Sequence, residues 1–142
     1  MATKAKGEPF SVRFSATTDR AIAAEAKRLN RSKSSIVEAL AEEAMRIRRF
    51  PGIGFRGEDS RRRPWVIGTG LDIWEIVELL QDYGSADALI KGHEFIDERQ
   101  ARLAQAYYGA YPAEIDEAIA ENRRPIEERL ELYPWIVHVP PA

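Results

Sequence analysis

The sequence predicts a mainly α chain in two parts: a small head of one strand and two helices, then a larger helical body carrying a short hairpin. Three observations predict it. Phe10, Ser11, Val12, Arg13, Phe14 and Ser15 alternate apolar and polar, the period of a strand. Apolar residues then recur at helical spacing, as Ile22, Ala23, Ala26 and Leu29 and again as Ile36, Val37, Leu40, Ala41, Ala44, Met45 and Ile47. Finally the composition changes at FPGIGFRGEDSRRRPWVIGTGLD, rich in Gly, Arg and Pro, before helical spacing resumes.

The elements come in order. Residues 1–8 are small and charged and are expected to form an arm. Thr17 or Thr18 can cap the first helix, with Asp19 favourable in its first turn, and Asn30 suits a left-handed stop. The second helix is expected from Ser32 to about residue 48, ended by Pro51 and Gly52. Two short strands are expected near 53–56 and 64–67, with a polar hairpin between them. Asp72 caps a third helix that stops at Gly84, Ser85 a fourth, and Asp97 a fifth with Ala101, Ala104 and Tyr108 on one face. A sixth begins at Pro112, a residue tolerated in the first turn. The domains predicted are 9–49 and 50–124, with a tail over 125–142.

Composition bounds the function. The 142 residues are 44% hydrophobic, enough for a core, and there is no cysteine, which excludes disulfides, thiolate metal sites and a Cys nucleophile. Lys4 and Lys6 precede no apolar run, so no signal peptide is expected, and no stretch approaches the roughly 20 apolar residues of a membrane span. A cytoplasmic location with no membrane partner is the expectation. The net charge of -2 hides an asymmetry: residues 1–49 hold 11 Lys/Arg against 6 Asp/Glu, and residues 50–142 hold 10 against 17. A basic head on an acidic body suits a head that meets a polyanion, although chance clustering on a solvated surface would look the same.

A six-residue strand and two helices cannot close a core in about 45 residues. Two copies can. Paired antiparallel, two such strands form a ribbon whose Phe10, Val12 and Phe14 face four helices while Ser11, Arg13 and Ser15 face outward. A two-stranded ribbon fits the major groove, and arginine suits the acceptors of guanine. The helix start at Ser32, with Lys33 beside it, offers amides and positive potential to a phosphate. The competing reading is an edge strand of a monomeric domain with Arg13 merely solvated.

The stretch FSVRFSATTDRAIAAEAKRLNRSKSSIVEALAEEAMR resembles the ribbon-helix-helix family of bacterial repressors and antitoxins, in its alternating strand, short first helix and the turn LNRSKSSIV leading into a long helix. The resemblance covers about residues 9–49 and implies an intertwined dimer binding double-stranded operator DNA. It implies base reading by Ser11 and Arg13, with Ser15 next on that face and Pro9 at a position usually polar, and a phosphate clamp of Ser32, Lys33 and Ser34. The second half is similar to a small helix-turn-helix-like domain of VapB-type antitoxins, through Val66–Ile67, Gly68–Thr69, Asp72–Asp82, Gly84–Ser85 and AYYGAYPAEID. Gly70 stands where that family usually has Arg. This likeness implies a PIN-type ribonuclease toxin as partner.

After Arg124 the chain suits an extended partner-binding segment. Leu130, Trp135 and Ile136 are its apolar anchors, and Arg123, Arg124 and Arg129 are candidates to reach a toxin's acidic metal site. The same tail could instead fold back on its own body or on the other subunit. Gly52, Gly54 and Gly57 match G-x-G-x-x-G, but a helix precedes them and an Arg-rich stretch comes after, the wrong context for a dinucleotide site. Arg61, Arg62 and Arg63 form either a solvated loop or a phosphate contact. His93-Glu94 lacks a second His, His138 is alone, and no catalytic set stands out, so no metal, cofactor or enzymatic activity is expected. The expectation is an antitoxin that represses its own operon and neutralises a toxin. The alternatives are a stand-alone regulator with a ligand-binding or oligomerisation domain, and a scaffold without a DNA role.

Overall fold

The computed structural model describes residues 5–135. The protein is mainly helical, with one small antiparallel two-stranded sheet among those residues. Its contacts divide it into two compact units, one up to Met45 and the other from Arg46 on. Sequence reasoning put the border after residue 49, at the end of a helix. The structure puts it inside that helix, because Arg46 and Phe50 belong to the second unit's core.

In the first unit, α1 spans Ala16–Leu29 and α2 begins at Lys33 and runs to Arg49. The cap of α1 is Ser15 rather than Thr17 or Thr18, its Oγ accepting from the Thr18 amide at 3.2 Å. Asn30 takes the left-handed conformation (φ 51°), and the Arg31 amide reaches back to the Ala26 carbonyl at 2.9 Å, closing a Schellman turn. Ser32 caps α2 by accepting from the Ser35 amide at 3.1 Å. Among the described residues only Ile22, Ala26 and Ile36 are buried here, with Leu29 and Val37 packed against them. Residues 10–15 form no strand in the single chain, since the described part of the first unit holds no second extended segment to supply ladder partners.

The second unit opens with the last turn of α2 and Phe50, then a hairpin of β1 (Ile53–Arg56) and β2 (Arg63–Val66). β2 starts one residue earlier than expected, which sets Ile53 opposite Val66, Gly54 opposite Trp65, Phe55 opposite Pro64 and Arg56 opposite Arg63. Thr69 Oγ1 donates to the Val66 carbonyl at 2.7 Å and turns the chain after β2. Next come helices α3 (Ile73–Tyr83), α4 (Ala86–Gly92), α5 (Glu98–Ala110) and α6 (Pro112–Asn122), starting where their cap residues predict. Asp72 is joined to Glu75 and Asp97 to Gln100 as capping boxes. α3 packs against α4, α5 and α6. Ala101 and Ala104 are fully buried, and these small side chains let the α5 backbone come close. The residue that completes their face is Tyr107 rather than Tyr108; Tyr108 lies toward the surface and donates to Asp116 Oδ1 at 2.5 Å.

Where an extended tail was expected, residues Ile126–Leu132 form a helix, α7. Pro125 precedes its first turn, Glu127 and Glu128 sit at its positive end, and the Leu and Glu residues are good helix formers. No helix among the described residues is long and apolar enough to cross a membrane.

Candidate functional site

The first unit brings the apolar residues of the predicted strand beside Lys33 and Ser34 of the predicted clamp. Phe10, Val12 and Phe14 line an open groove of about 500 Å³ whose other walls are Asp19 of α1 and Lys33, Ser34, Val37, Glu38 and Ala41 of α2. Every apolar member of the extended segment is exposed: Phe10 at 84%, Val12 at 54% and Phe14 at 41%. Leu40 on α2 is also exposed, at 52%. Full burial of such side chains is worth about 1.5–3 kcal/mol each, so this surface is unfavourable to leave in water.

Ser11 and Arg13 alternate with these apolar residues and are exposed. Ser15 is not free in the way the alternation suggested. Its hydroxyl accepts from the Thr18 amide and bonds the Thr18 hydroxyl at 3.0 Å, so it is committed to starting α1. Lys33 Nζ pairs with Asp19 Oδ1 at 2.6 Å, with both side chains about half exposed. An exposed pair of this kind is worth about 0–1 kcal/mol, little enough for a phosphate to replace the carboxylate. Ser34 is exposed. The amides of Lys33 and Ser34 lie in the first turn, ahead of the first intrahelical bonds.

In the second unit the three arginines expected to reach a partner are each engaged within the chain. Arg123 Nε donates to Glu78 Oε1 at 2.8 Å, and its Nη2 lies 3.7 Å from Asp82 Oδ1. Arg124 pairs with Glu121 at 2.9 Å and approaches Glu128 at 3.9 Å. Arg129 Nη2 donates to the carbonyls of Glu121 and Asn122, both at 2.8 Å, and so closes the end of α6. Leu130 is half-buried, whereas Leu132, Tyr133 and Trp135 are exposed, Trp135 at 74%. Tyr133 and Trp135 meet edge to face at 5.9 Å between centroids. Ile136 lies outside the described residues.

A cluster that sequence reasoning missed lies where the last turn of α2 meets α5 and α6. Arg46 Nη1 donates to the Tyr107 hydroxyl and to Glu114 Oε1, each at 2.7 Å, and its guanidinium stacks 3.9 Å above the Tyr111 ring. The partners are 61 and 68 residues apart, so no local spacing announces them. Among the described residues no three His, Asp or Glu side chains gather so as to hold a metal ion.

No family model, no curated protein and no solved structure matches this chain.

Proposed function

We propose that this chain is a ribbon-helix-helix DNA-binding regulator that dimerises through its head and represses its own operon as an antitoxin. In this reading the helix-turn-helix-like second unit and its tail engage a PIN-type ribonuclease toxin. The observation that carries the head reading is the mismatch in the first unit. Its three buried residues, among those described, are too few to stabilise a unit of this size, and beside them stands an exposed, alternating segment with no partner strand. A second copy of Phe10–Ser15, paired antiparallel, satisfies both. It also presents Ser11 and Arg13 of both chains on one outward ribbon, with the two α2 starts available to flanking phosphates. Support for the protein partner is the exposed apolar end at Leu132, Tyr133 and Trp135, the residue types that anchor interfaces.

The engagement of Arg123, Arg124 and Arg129 inside their own unit favours a second reading, a stand-alone regulator whose second unit only oligomerises or binds a small ligand. Co-purification with the product of a neighbouring gene separates the two.

The experiment for the head is fluorescence anisotropy of wild type and Arg13→Ala on the chain's own upstream DNA across a salt series. Arg13→Ala is expected to lose about 1–3 kcal/mol, mainly on the preferred sequence. Equal binding by both proteins to every sequence would remove base reading from Arg13.

A further inference from the structure

The outer face of the hairpin carries a second arrangement. Cross-strand partners share a face, so Gly54 and Trp65 lie on the same side as Arg56 and Arg63, while Ile53 and Val66 point into the core. Gly54 lets the Trp65 ring lie flat across the strand, since a Cβ there would meet Trp65 Nε1 at 2.8 Å. Arg56 stacks 4.8 Å above that ring and is fixed by Asp72 Oδ1 at 2.8 Å and the Gly70 carbonyl at 3.0 Å. Arg62 turns inward to the loop, donating to the carbonyls of Gly57 at 2.9 Å and Phe55 at 3.2 Å. The tip is therefore a braced structure.

Two cations are left over. Arg61 and Arg63 are exposed and have no anionic partner among the described residues. Arg63 stands directly opposite Arg56, and like charges facing each other across a strand pair are destabilising. The pairing persists with only one of the two arginines neutralised. The surrounding sequence has the same sign: residues 46–63 hold seven Lys/Arg against two Asp/Glu, whereas residues 64–142 hold six against fifteen. The basic character of the second unit is thus concentrated at its start.

We propose that Arg61 and Arg63 at the hairpin are a second DNA contact, made by the second unit to backbone phosphates. This rests on the DNA-binding reading above and adds a site outside the head. The face of Trp65 is already covered by Arg56, so base stacking is not what the surface provides. Two guanidiniums beside a braced strand pair fit phosphate oxygens, and a phosphate relieves the repulsion between Arg56 and Arg63. The contact carries no sequence information and adds affinity to any duplex.

The test compares wild type, an Arg61→Ala/Arg63→Ala double variant and an Arg61→Lys/Arg63→Lys double variant. Anisotropy is read on operator and scrambled duplexes over a salt series, with circular dichroism as the check on folding. The alanine variant is expected to weaken binding by the same factor on both duplexes. Its slope of log affinity against log salt should be shallower by about 2–4 for a dimer, and the lysine variant should keep most of the wild-type slope. An alanine variant that folds and keeps both affinity and slope overturns the proposal and leaves the head reading intact. If wild type shows no salt-dependent binding to either duplex, both readings fall together. If the alanine variant is unfolded, an Arg61→Gln/Arg63→Gln double variant that folds decides: a wild-type affinity and slope overturn the proposal, and a slope shallower by about 2–4 on both duplexes supports it.

Discussion

Tyr107 and Glu114 are joined at 2.7 Å, the buried phenol donating to the carboxylate while Arg46 donates to both. Burial pushes the Tyr107 pKa up, Glu114 pushes it further, and Arg46 opposes them. A phenol whose folded pKa lies above its unfolded value of about 10 contributes stability fully below that value. The contribution is lost as pH rises, because the unfolded chain ionises first. Urea denaturation of wild type should therefore show stability falling above about pH 10, and Tyr107→Phe should flatten that fall. At neutral pH the same variant should cost about 1–2 kcal/mol, through the lost hydrogen bonds at a buried site. Unchanged stability and an unchanged alkaline slope in the variant would remove Tyr107 from this account.

Ser15 should act through α1 and not through base contacts. Ser15→Ala is expected to lower the stability of the first unit by about 1 kcal/mol, with Ser15→Asp or Ser15→Asn retaining the cap. Relative affinity among DNA sequences should stay as in wild type. A shifted preference with unchanged thermal stability would assign the hydroxyl to DNA.

Val12→Asp places a charge on the face that two paired strands would bury together. Sedimentation equilibrium should show a concentration-dependent dimer for wild type and monomer for the variant, with loss of helical signal from the first unit. A dimer of undiminished strength in Val12→Asp would exclude residues 10–15 from the interface.

α7 contributes no buried residue, so the bonds of Arg129 to the end of α6 are a principal attachment. Arg129→Met keeps the aliphatic stem and removes those bonds. Amide exchange over residues 126–132 should accelerate, while the melting of the second unit moves by less than about 0.5 kcal/mol equivalent. Equal protection in wild type and variant would mean that Ile126 and Leu130 hold the helix by packing alone.

Local chemistry made much of the fold legible. Asn30, Ser32, Asp72, Ser85, Asp97 and Pro112 each mark a helix boundary through a property of one side chain acting on the nearest backbone groups. Ser15 was missed because Thr17 and Thr18 cap equally well in isolation, and the first apolar contact of α1 does not distinguish among them. α7 was missed because prolines and aromatics come soon after it. In the candidate site, alternation located the exposed Ser11 and Arg13. The pairing of Lys33 with Asp19 and the Arg46 cluster were out of reach, since they depend on how α1, α2, α5 and α6 pack. The opposition of Arg56 and Arg63 depended on a one-residue difference in where β2 begins.

The border between the two units lies inside α2, with no spacer to cut. Protein modules are commonly exchanged between genes at linkers, where a join of any length is tolerated. Here a recombination at residue 50 would deliver a body lacking the guanidinium that bonds Tyr107 and Glu114. A head from another protein could be joined only within a continuous helix. Inheritance of this body is therefore tied to the last turn of α2, which it cannot leave behind without losing the bonds of Arg46.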